Sequence, residues 1–296
     1  MIGGVGYDVH NDRSKGFLLQ MQMSLGGISS LLEQIGEEHQ EGTRLTIRIP
    51  LAQSVDATLA WRLRAEWKRN AEISCEAMVS VGGRCGLGVI AYYGANCAGR
   101  RTPGDFCSRE WVILEEACKR PPTSRKLLAE YRVNILRGQS EADIGRLAEI
   151  YDASFRSYSA DLSAESIAQM ARDNTIAVAR AADGKIVAVA QAEVVSLLIG
   201  GYPWRLIELS ETATDPVFRG RGLSQRCKGL LLEVLQGPDA IFYTESNAGH
   251  LPVLKSNHNL GFRPAGRLEQ HCVLDSGDEE PAGRGTYANL FVFSLR

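Results

Sequence analysis

The residues with the clearest chemical potential lie close together. Glu208-Leu209-Ser210-Glu211-Thr212-Ala213-Thr214 leads into Asp215-Pro216-Val217-Phe218-Arg219-Gly220-Arg221-Gly222-Leu223-Ser224. The first stretch reads as a strand. The second is a turn with two glycines and two arginines, followed by Cys227, Leu230, Leu231 and Val234 at helical spacing. Glycines let backbone N–H groups approach a ligand, a helix start adds unpaired donors and the positive end of a dipole, and guanidinium groups add full charge. Strand, loop and helix in this order make a cradle for an anion of diphosphate size. The Walker lysine and the Gly-x-Gly-x-x-Gly fingerprint are both missing, which disfavours ATP and dinucleotides.

The elements that must position this loop can be read from periodicity. From about Tyr131 the spacing predicts a strand over 132–136 and a helix over 141–155, with Ile144, Leu147, Ala148, Tyr151 and Phe155 on the buried stripe. A second helix starts after Ser163 as N-cap. Two strands, 175–180 and 186–194, flank the hairpin signal Asp183-Gly184. The strand 206–214, the loop, a helix over 224–235, a strand over 241–245, a short helix near 249–258 and strands over 265–274 and 287–295 complete the order. This is a mixed α/β sheet covered by helices. Upstream, strands are expected at 16–21, 45–49, 72–79 and 86–93, and helices at 28–35 and 53–68. The Gly-rich stretch 82–88 lies between two strands and reads as a hairpin turn, not a phosphate loop. Residues 96–125 read as irregular and end in Pro121-Pro122, so the division expected is an αβ domain at 1–120 without a cofactor loop, a linker at 121–130 and a second domain at 131–296.

Arg219-x-x-Gly222-x-Ser224 resembles the pyrophosphate-binding signature of the GNAT superfamily of N-acetyltransferases, with Ser224 in place of the usual Gly or Ala. Leu260-Gly261-Phe262 is similar to the ending of that fold. A narrower resemblance covers His10-Asn11-Asp12-Arg13, Ile47-Arg48-Ile49-Pro50, Glu208-x-x-Glu211-x-Ala213-Thr214 and Tyr287-Ala288-Asn289-Leu290-Phe291, which look like stretches of the β-lysine N-acetyltransferases. The resemblance implies a C-terminal GNAT fold preceded by a smaller, degenerate GNAT-like domain, and transfer of an acetyl group from acetyl-CoA to a primary amine. The backbone of Ala213 and Thr214 would hold the pantetheine arm; amides from Arg219, Gly220, Arg221, Gly222, Leu223 and Ser224 would hold the diphosphate; Asn247 would contact the cofactor or cap the next helix.

An alkyl amine is protonated at pH 7, so a base must deprotonate it before attack. Glu208 is the favoured base, and Glu211 the second candidate, as base or amine-binding carboxylate. The two should face opposite ways on a strand unless a bulge re-aims one. The superfamily's usual acid, a tyrosine, is replaced by Asn257, which leaves Tyr243, His250 and His258 as candidates. Tyr158, Glu193 and Asn289 are acceptor-binding candidates by analogy. The alternatives are a carrier-protein, longer acyl-CoA or aminoacyl-tRNA donor in natural-product assembly, and a non-catalytic acyl-CoA sensor.

Charge and composition narrow the class. Lys plus Arg (33) and Asp plus Glu (35) nearly balance, which gives no electrostatic case for a nucleic-acid or membrane-surface partner. No apolar run reaches the roughly 18 residues of a spanning helix, and the first residues lack a secretion signal, so a cytoplasmic protein is expected. The seven cysteines form no Cys-x-x-Cys pair and no histidine lies among the five between 75 and 118; reduced thiols and no metal are expected. The resemblance implies a small-molecule amine as acceptor, a β-lysine-like diamino acid among the candidates, and a homodimer is compatible with the sequence.

Overall fold

Alternation of aliphatic with polar residues builds the strands, and it continues on both sides of residue 120. A computed structural model describes residues 2–8, 11–18, 20–21, 24–39, 42–52, 55–67, 71–81, 88–100, 104–122, 129–138, 140–155, 162–199, 201–273 and 287–295. The first part of the chain forms β1 (Ile2–Asp8), β2 (Arg13–Leu18), β3 (Gln20–Met21), α1 (Leu25–Glu38), β4 (Arg44–Ala52), α2 (Ala57–Arg62), β5 (Arg64–Trp67), β6 (Ala71–Val81), β7 (Gly88–Asn96) and α3 (Gly104–Cys118). The second forms β8 (Arg132–Ile135), α4 (Glu141–Asp152), α5 (Ala164–Asp173), β9 (Thr175–Arg180), β10 (Ile186–Ile199), β11 (Tyr202–Thr214), α6 (Leu223–Leu235), β12 (Ala240–Asn247), α7 (Leu251–Asn259), β13 (Arg263–Val273) and β14 (Tyr287–Ser294).

The mixed α/β class is the one expected. The strands run in the order β1-β2-β4-β7-β6-β13-β14-β12-β11-β10-β9-β8, with β3 on β10 and β5 on β6. Helix α6 covers one face through Leu223, Cys227 and Leu231, against Ala177, Ala190 and Leu209. The alanines leave room for the helix to lie close to the sheet. Helices α4 and α5 cover the opposite face, where Leu147, Tyr151 and Ile167 meet Val178 and Val189. In the first part α1 packs Ile28, Leu32 and Ile35 on Leu45, Ile47 and Ile49 of β4. A further cluster crosses between the parts: Val79 and Tyr92 pack with Leu206, Tyr243 and Val292.

Serines start three helices as expected from capping chemistry: Ser24, Ser140 and Ser163 accept from the N–H of Gly27, Asp143 and Ser166. Two expectations need correction. The helix read over 53–68 is six residues long, because the chain turns extended at Leu63 and β5 pairs with β6, burying Ala65 and Trp67 in alternation. The stretch read as irregular holds α3. Its buried stripe is Glu110, Leu114 and Ala117, and a carboxylate in the first of these places hides the apolar periodicity. Leu114 and Ala117 pack in the same cluster as Leu254, Phe262 and Phe291, so this helix lies in the core of the second part. Of the expected linker, residues 123–128 lie outside the described residues, as do 82–87 of the Gly-rich turn. Among the described residues no helix is long and apolar enough to cross a membrane.

The two parts of the sheet meet at Gly266 of β13 opposite Ala77 of β6, and again where β3 pairs with β10 at Gln20–Leu198 and Met21–Ile199. Gly266 has φ +154°, and a Cβ there would lie 2.3 Å from the Glu76 carbonyl oxygen and 2.4 Å from Ala77 Cα. Backbone on backbone leaves nothing that can give way. Gly266→Ala is therefore expected to lower unfolding stability by about 1–3 kcal/mol, the usual cost of overpacking, measured by urea denaturation. An unchanged midpoint would mean that the seam relaxes freely.

Candidate functional site

The site begins where two parallel strands part. β11 and β12 pair from Arg205–Ala240 to Glu208–Tyr243, and the ladder ends there. Beyond it β11 stays with β10 as far as Thr214, and β12 stays with β14 from Thr244 to Asn247. A wedge opens between them. Thr244 Oγ1 donates to the Leu209 carbonyl at 2.7 Å and pins the vertex. The register of β10 and β11 slips between Gln191–Ser210 and Val189–Ala213, so an extra residue bulges from β11. Glu211 takes φ +38° in that bulge.

The loop stands at the mouth of the wedge. Asp215 caps the turn Pro216–Phe218 by accepting from Val217 N–H, and is itself held by Arg146. Gly222 stands at the N-cap of α6 with φ +74° and ψ 18°, a left-handed conformation that favours glycine. No side chain caps this helix and no acidic residue lies in its first turn, so its first amides and dipole keep a positive end. The arginines differ. Arg219 is exposed and braces the strand exit, its Nε 3.3 Å from the Thr214 carbonyl and its Nη2 3.4 Å from that of Ala153. Arg221 donates to the Tyr131 hydroxyl and lies 5.3 Å from the Phe218 ring centre. Ala213 and Leu223 are buried, while Thr214 and Ser224 are half-buried.

Glu208 occupies the vertex with its side chain 18% exposed. Its Oε2 accepts from the Tyr243 hydroxyl and lies 3.8 Å from Arg48 Nη1. Arg48 comes from β4, in the first part of the chain. It donates to Tyr243 Oη at 2.9 Å and to Glu245 Oε1 at 2.5 Å, and its guanidinium lies over the Tyr92 and Tyr243 rings. Burial works against the Arg48 charge, but Glu245 first, then the two phenols and Glu208, hold its pKa well above the usual value. For Glu208, burial is the largest influence; Glu245 and Glu193 add to it, Arg48 and Lys15 oppose it, and the carboxyl is raised to about 7.

The charge network continues inward. Glu245 Oε2 lies 3.6 Å from His271 Nε2; His271 Nδ1 accepts from Arg44 Nε at 3.1 Å; and Arg44 forms a fork with Glu76 at 3.0 and 2.5 Å. Burial first, then Arg13 and Arg44, keep His271 well below its usual pKa and hence neutral. Its Nδ1 is the acceptor, so Nε2 carries the hydrogen and points to Glu245.

The other expected residues fall as follows. The bulge turns Glu211 toward Tyr151 of α4, whose phenol it pushes up after the larger effect of burial. Ala213 packs beside Tyr151, so both carboxylates serve the α4 face of the sheet, Glu208 at the vertex and Glu211 farther out. Glu193 is the cross-strand partner of Glu208 and accepts from Ser210 Oγ at 3.0 Å and Gln191 Nε2 at 3.2 Å. Asn289 is buried at 2% exposure: its amide donates to both Glu110 oxygens at 2.9 and 2.8 Å and its Oδ1 accepts from Gln270 N–H at 2.7 Å. That side chain ties α3 to β13 and β14 and has no open group for an acceptor. Asn247 Oδ1 accepts from Gly249 N–H at 2.8 Å and so caps the turn into α7. Tyr158 and His10 lie outside the described residues. Of the acid candidates, Tyr243 touches Glu208, His258 lies between the Arg120 carbonyl and Arg263, and His250 stands at the start of α7.

From the sequence, Tyr92 and Glu245 carry no expected role, and Arg48 stands only within the stretch Ile47-Arg48-Ile49-Pro50 of the narrower resemblance, with no function assigned. The usable signal was on β4, where Arg44, Thr46 and Arg48 alternate with Leu45, Ile47 and Ile49 and every one is buried. Charged residues on the second face of a doubly covered strand must be paired.

No family profile matches the chain, and no curated protein matches its sequence. Solved structures that align with part of it include a ribosomal-protein-alanine N-acetyltransferase from Brucella melitensis, at 22% identity over 54% of this chain and 98% of that one, with a TM-score of 0.42. Arabidopsis thaliana NAA60 in complex with acetyl-CoA aligns at 14% identity over 55% and 98%, with a TM-score of 0.44. An acetyltransferase of the GNAT family from Streptococcus pneumoniae aligns at 11% identity over 55% and 98%, with a TM-score of 0.42.

Two outcomes follow from the vertex. Arg48→Met removes a positive neighbour, so the Glu208 carboxyl is expected to titrate above 7, read by NMR of carboxyl-labelled glutamate; a titration at or below 7 would separate Arg48 from Glu208. A carboxyl raised above its unfolded value stabilises the fold below about pH 4.5 and loses that contribution as pH rises through 7. Glu208→Gln, which cannot ionise, is therefore expected to melt higher than the wild type at pH 8.5 and no higher at pH 4. Equal melting curves at pH 8.5 would contradict the raised pKa.

Proposed function

We propose that this chain is an N-acyltransferase that moves an acetyl group from acetyl-CoA to a primary amine of a small molecule. The observation that carries the reading is the end of the β11–β12 ladder at Glu208–Tyr243, with an ionisable carboxyl at the vertex and an uncapped helix start at the mouth. A thioester carrier needs three things of a protein: an anion site for its diphosphate, a slot for its amide-bearing arm, and a base for the incoming amine. The α6 start, with Gly222 and Arg219, supports the first. The open edge of β11 beyond Leu209 supports the second, since an arm with peptide-like amides can pair there as a strand would.

Glu208 supports the third. A base works best with a pKa near the operating pH, and its carboxyl is raised to about 7. In its ionised form it accepts a proton from the bound ammonium group. That proton passes to solvent; the freed lone pair attacks the thioester carbon, the N–C bond forms, the nitrogen gives its surplus proton to the carboxylate again, the C–S bond breaks, and sulfur leaves with the electron pair. Tyr243 and Arg48 hold the carboxyl in place while it cycles between charge states.

The acceptor is a diamino acid of the β-lysine type or a similar amine. Glu193, Glu208 and Glu245 surround the vertex, with Arg48 as the cation in contact with two of them. A second ammonium group on the substrate would offset that excess of carboxylate.

Calorimetry with acetyl-CoA tests the donor, and thiol release with a panel of amines that includes diamino acids tests the reaction. Absence of acetyl-CoA binding would overturn the reading. Glu208→Gln is expected to lower kcat/KM by about tenfold or more at pH 7, with a smaller loss at pH 9.5, where more of the amine is already neutral. Arg219→Ala is expected to weaken acetyl-CoA binding more than Arg221→Ala does, because Arg219 makes two long contacts to carbonyls at the strand exit, whereas Arg221 is held by Tyr131 and lies against Phe218. The reverse order would place the diphosphate on the other side of the loop.

A further inference from the structure

One buried cation plays no part in the reaction so far. Lys228 is 2% exposed on α6, six residues after Gly222 and so about 9 Å farther along the helix. Its Nζ donates to Asn257 Oδ1 at 2.9 Å. That contact fixes the amide orientation, and Asn257 Nδ2 donates in turn to Ser246 Oγ at 2.9 Å. Asn257 is fully buried and Ser246 is 6% exposed. Since Ser246 Oγ accepts from the amide, its own hydrogen is left to donate elsewhere.

The helix that carries Lys228 lies over an apolar cluster. Ala188, Ala190, Ile207 and Leu209 face α6 from the sheet, and Leu254 faces it from α7. Among the described residues the titratable groups of this layer include Cys227 and Cys118 of α3, whose thiols burial pushes up, Tyr131, whose hydroxyl meets Arg221, and His258 of α7, which contacts the Arg120 carbonyl and Arg263. Burial lowers Lys228 to about 8, and among the described residues no carboxylate contributes. The amine is still mostly an ammonium at pH 7, a charge with an amide oxygen for its partner. Such an arrangement is costly unless the charge has a use.

Its position says what the use is. Thr244 and Ser246 share a face of β12, two residues apart. The Thr244 hydroxyl reaches the Leu209 carbonyl where the strands part, so Ser246 stands one step farther into the wedge. Tyr243 and Glu245, on the other face, turn toward Arg48. The base and the buried cation thus approach the wedge from opposite sides of β12.

We propose that Lys228, Asn257 and Ser246 form a charge-backed donor line that receives the leaving sulfur, with Ser246 as the group that touches it and Lys228 and Asn257 as positioning residues. The proposal rests on the acyl-transfer reading. As the C–S bond breaks, sulfur keeps the electron pair and accepts a hydrogen bond from Ser246 Oγ. The two protons that the ammonium group loses leave one after the other through Glu208 to solvent, the Lys228 charge offsets the thiolate through the fixed amide, and solvent protonates the thiolate after it leaves. No proton has to pass through Asn257.

Single-turnover acetyl transfer from acetyl-CoA, followed by thiol release, tests the line. Ser246→Ala is expected to slow the chemical step by about ten- to a hundredfold, the range for a lost charge-assisted donor, with acetyl-CoA affinity by calorimetry within about twofold of wild type. Lys228→Met is expected to slow it similarly and to abolish a fall in rate above pH 8. Lys228→Arg keeps the charge and is expected to retain most of the rate while moving that fall to higher pH. A Ser246→Ala protein with the wild-type rate, or a Lys228→Met protein that keeps both the rate and the alkaline fall, would overturn the line while the acyl-transfer reading stands. A wild type that binds no acetyl-CoA would remove both. If Lys228→Met does not fold, Ser246→Ala and Lys228→Arg decide.

Discussion

The guanidinium of Arg48 is the contact on which the vertex depends. It is buried, and in water-poor surroundings a full charge must be matched by opposite charge and by hydrogen bonds in good geometry. Glu245, Glu208 and the Tyr243 hydroxyl supply these from β11 and β12, and Tyr92 supplies a ring face from β7. The arrangement works in both directions. Arg48 keeps Glu208 from being raised by burial to the point where it could not ionise near neutrality, and Glu208 with Glu245 allows Arg48 to be buried at all. One cation shared among carboxylates leaves Glu208 intermediate, with its pKa at about 7, while Glu245 takes the shortest contact.

That arrangement is possible because the first part of the chain is built into the same sheet as the second. Strand β4 brings Arg44 and Arg48 to the seam; β6 brings Glu76; β13 brings His271. Neutral His271 sits between two charged pairs as a dipolar spacer, accepting from Arg44 and facing Glu245. The absence of a side chain at Gly266 lets β13 lie backbone to backbone against β6. The first part of the chain therefore tunes a carboxyl in the second. Asn289 and Glu110 hold the opposite side of the seam, where α3 closes over β14.

The wedge has two walls of different character. On the Arg48 side the side chains are charged and paired through carboxylates. On the α6–α7 side buried Lys228 has an amide oxygen as its partner, on a helix that packs over alanine, leucine and isoleucine. A strand with period two separates these environments at no cost in space, since Tyr243 and Glu245 face one and Thr244 and Ser246 the other. The asymmetry suits a reaction in which a proton is removed at one end and negative charge builds at the other.

Much of the second part was legible in the residues alone. The α4 stripe, the Ser163 cap, the Asp183-Gly184 hairpin and the strand–loop–helix around Gly222 each depend on neighbours within one or two turns, and local chemistry is enough to read them. The bulge at Glu211 was foreseeable as a possibility but not as a fact, because it depends on the register with β10. Helix α3 was missed because a carboxylate, Glu110, occupies a buried place whose partners, Asn289 and Arg267, come from more than 150 residues away. The helix over 53–68 was overread because the pairing of β5 with β6 outweighs local helical periodicity. Sequence determined the types of group available: a glycine free to turn left-handed, an uncapped helix start, a carboxylate on the strand before it. Tertiary structure alone decided which of them share a charge, because Arg48 and Glu208 are 160 positions apart and meet through the strand order, a relation that no local pattern encodes.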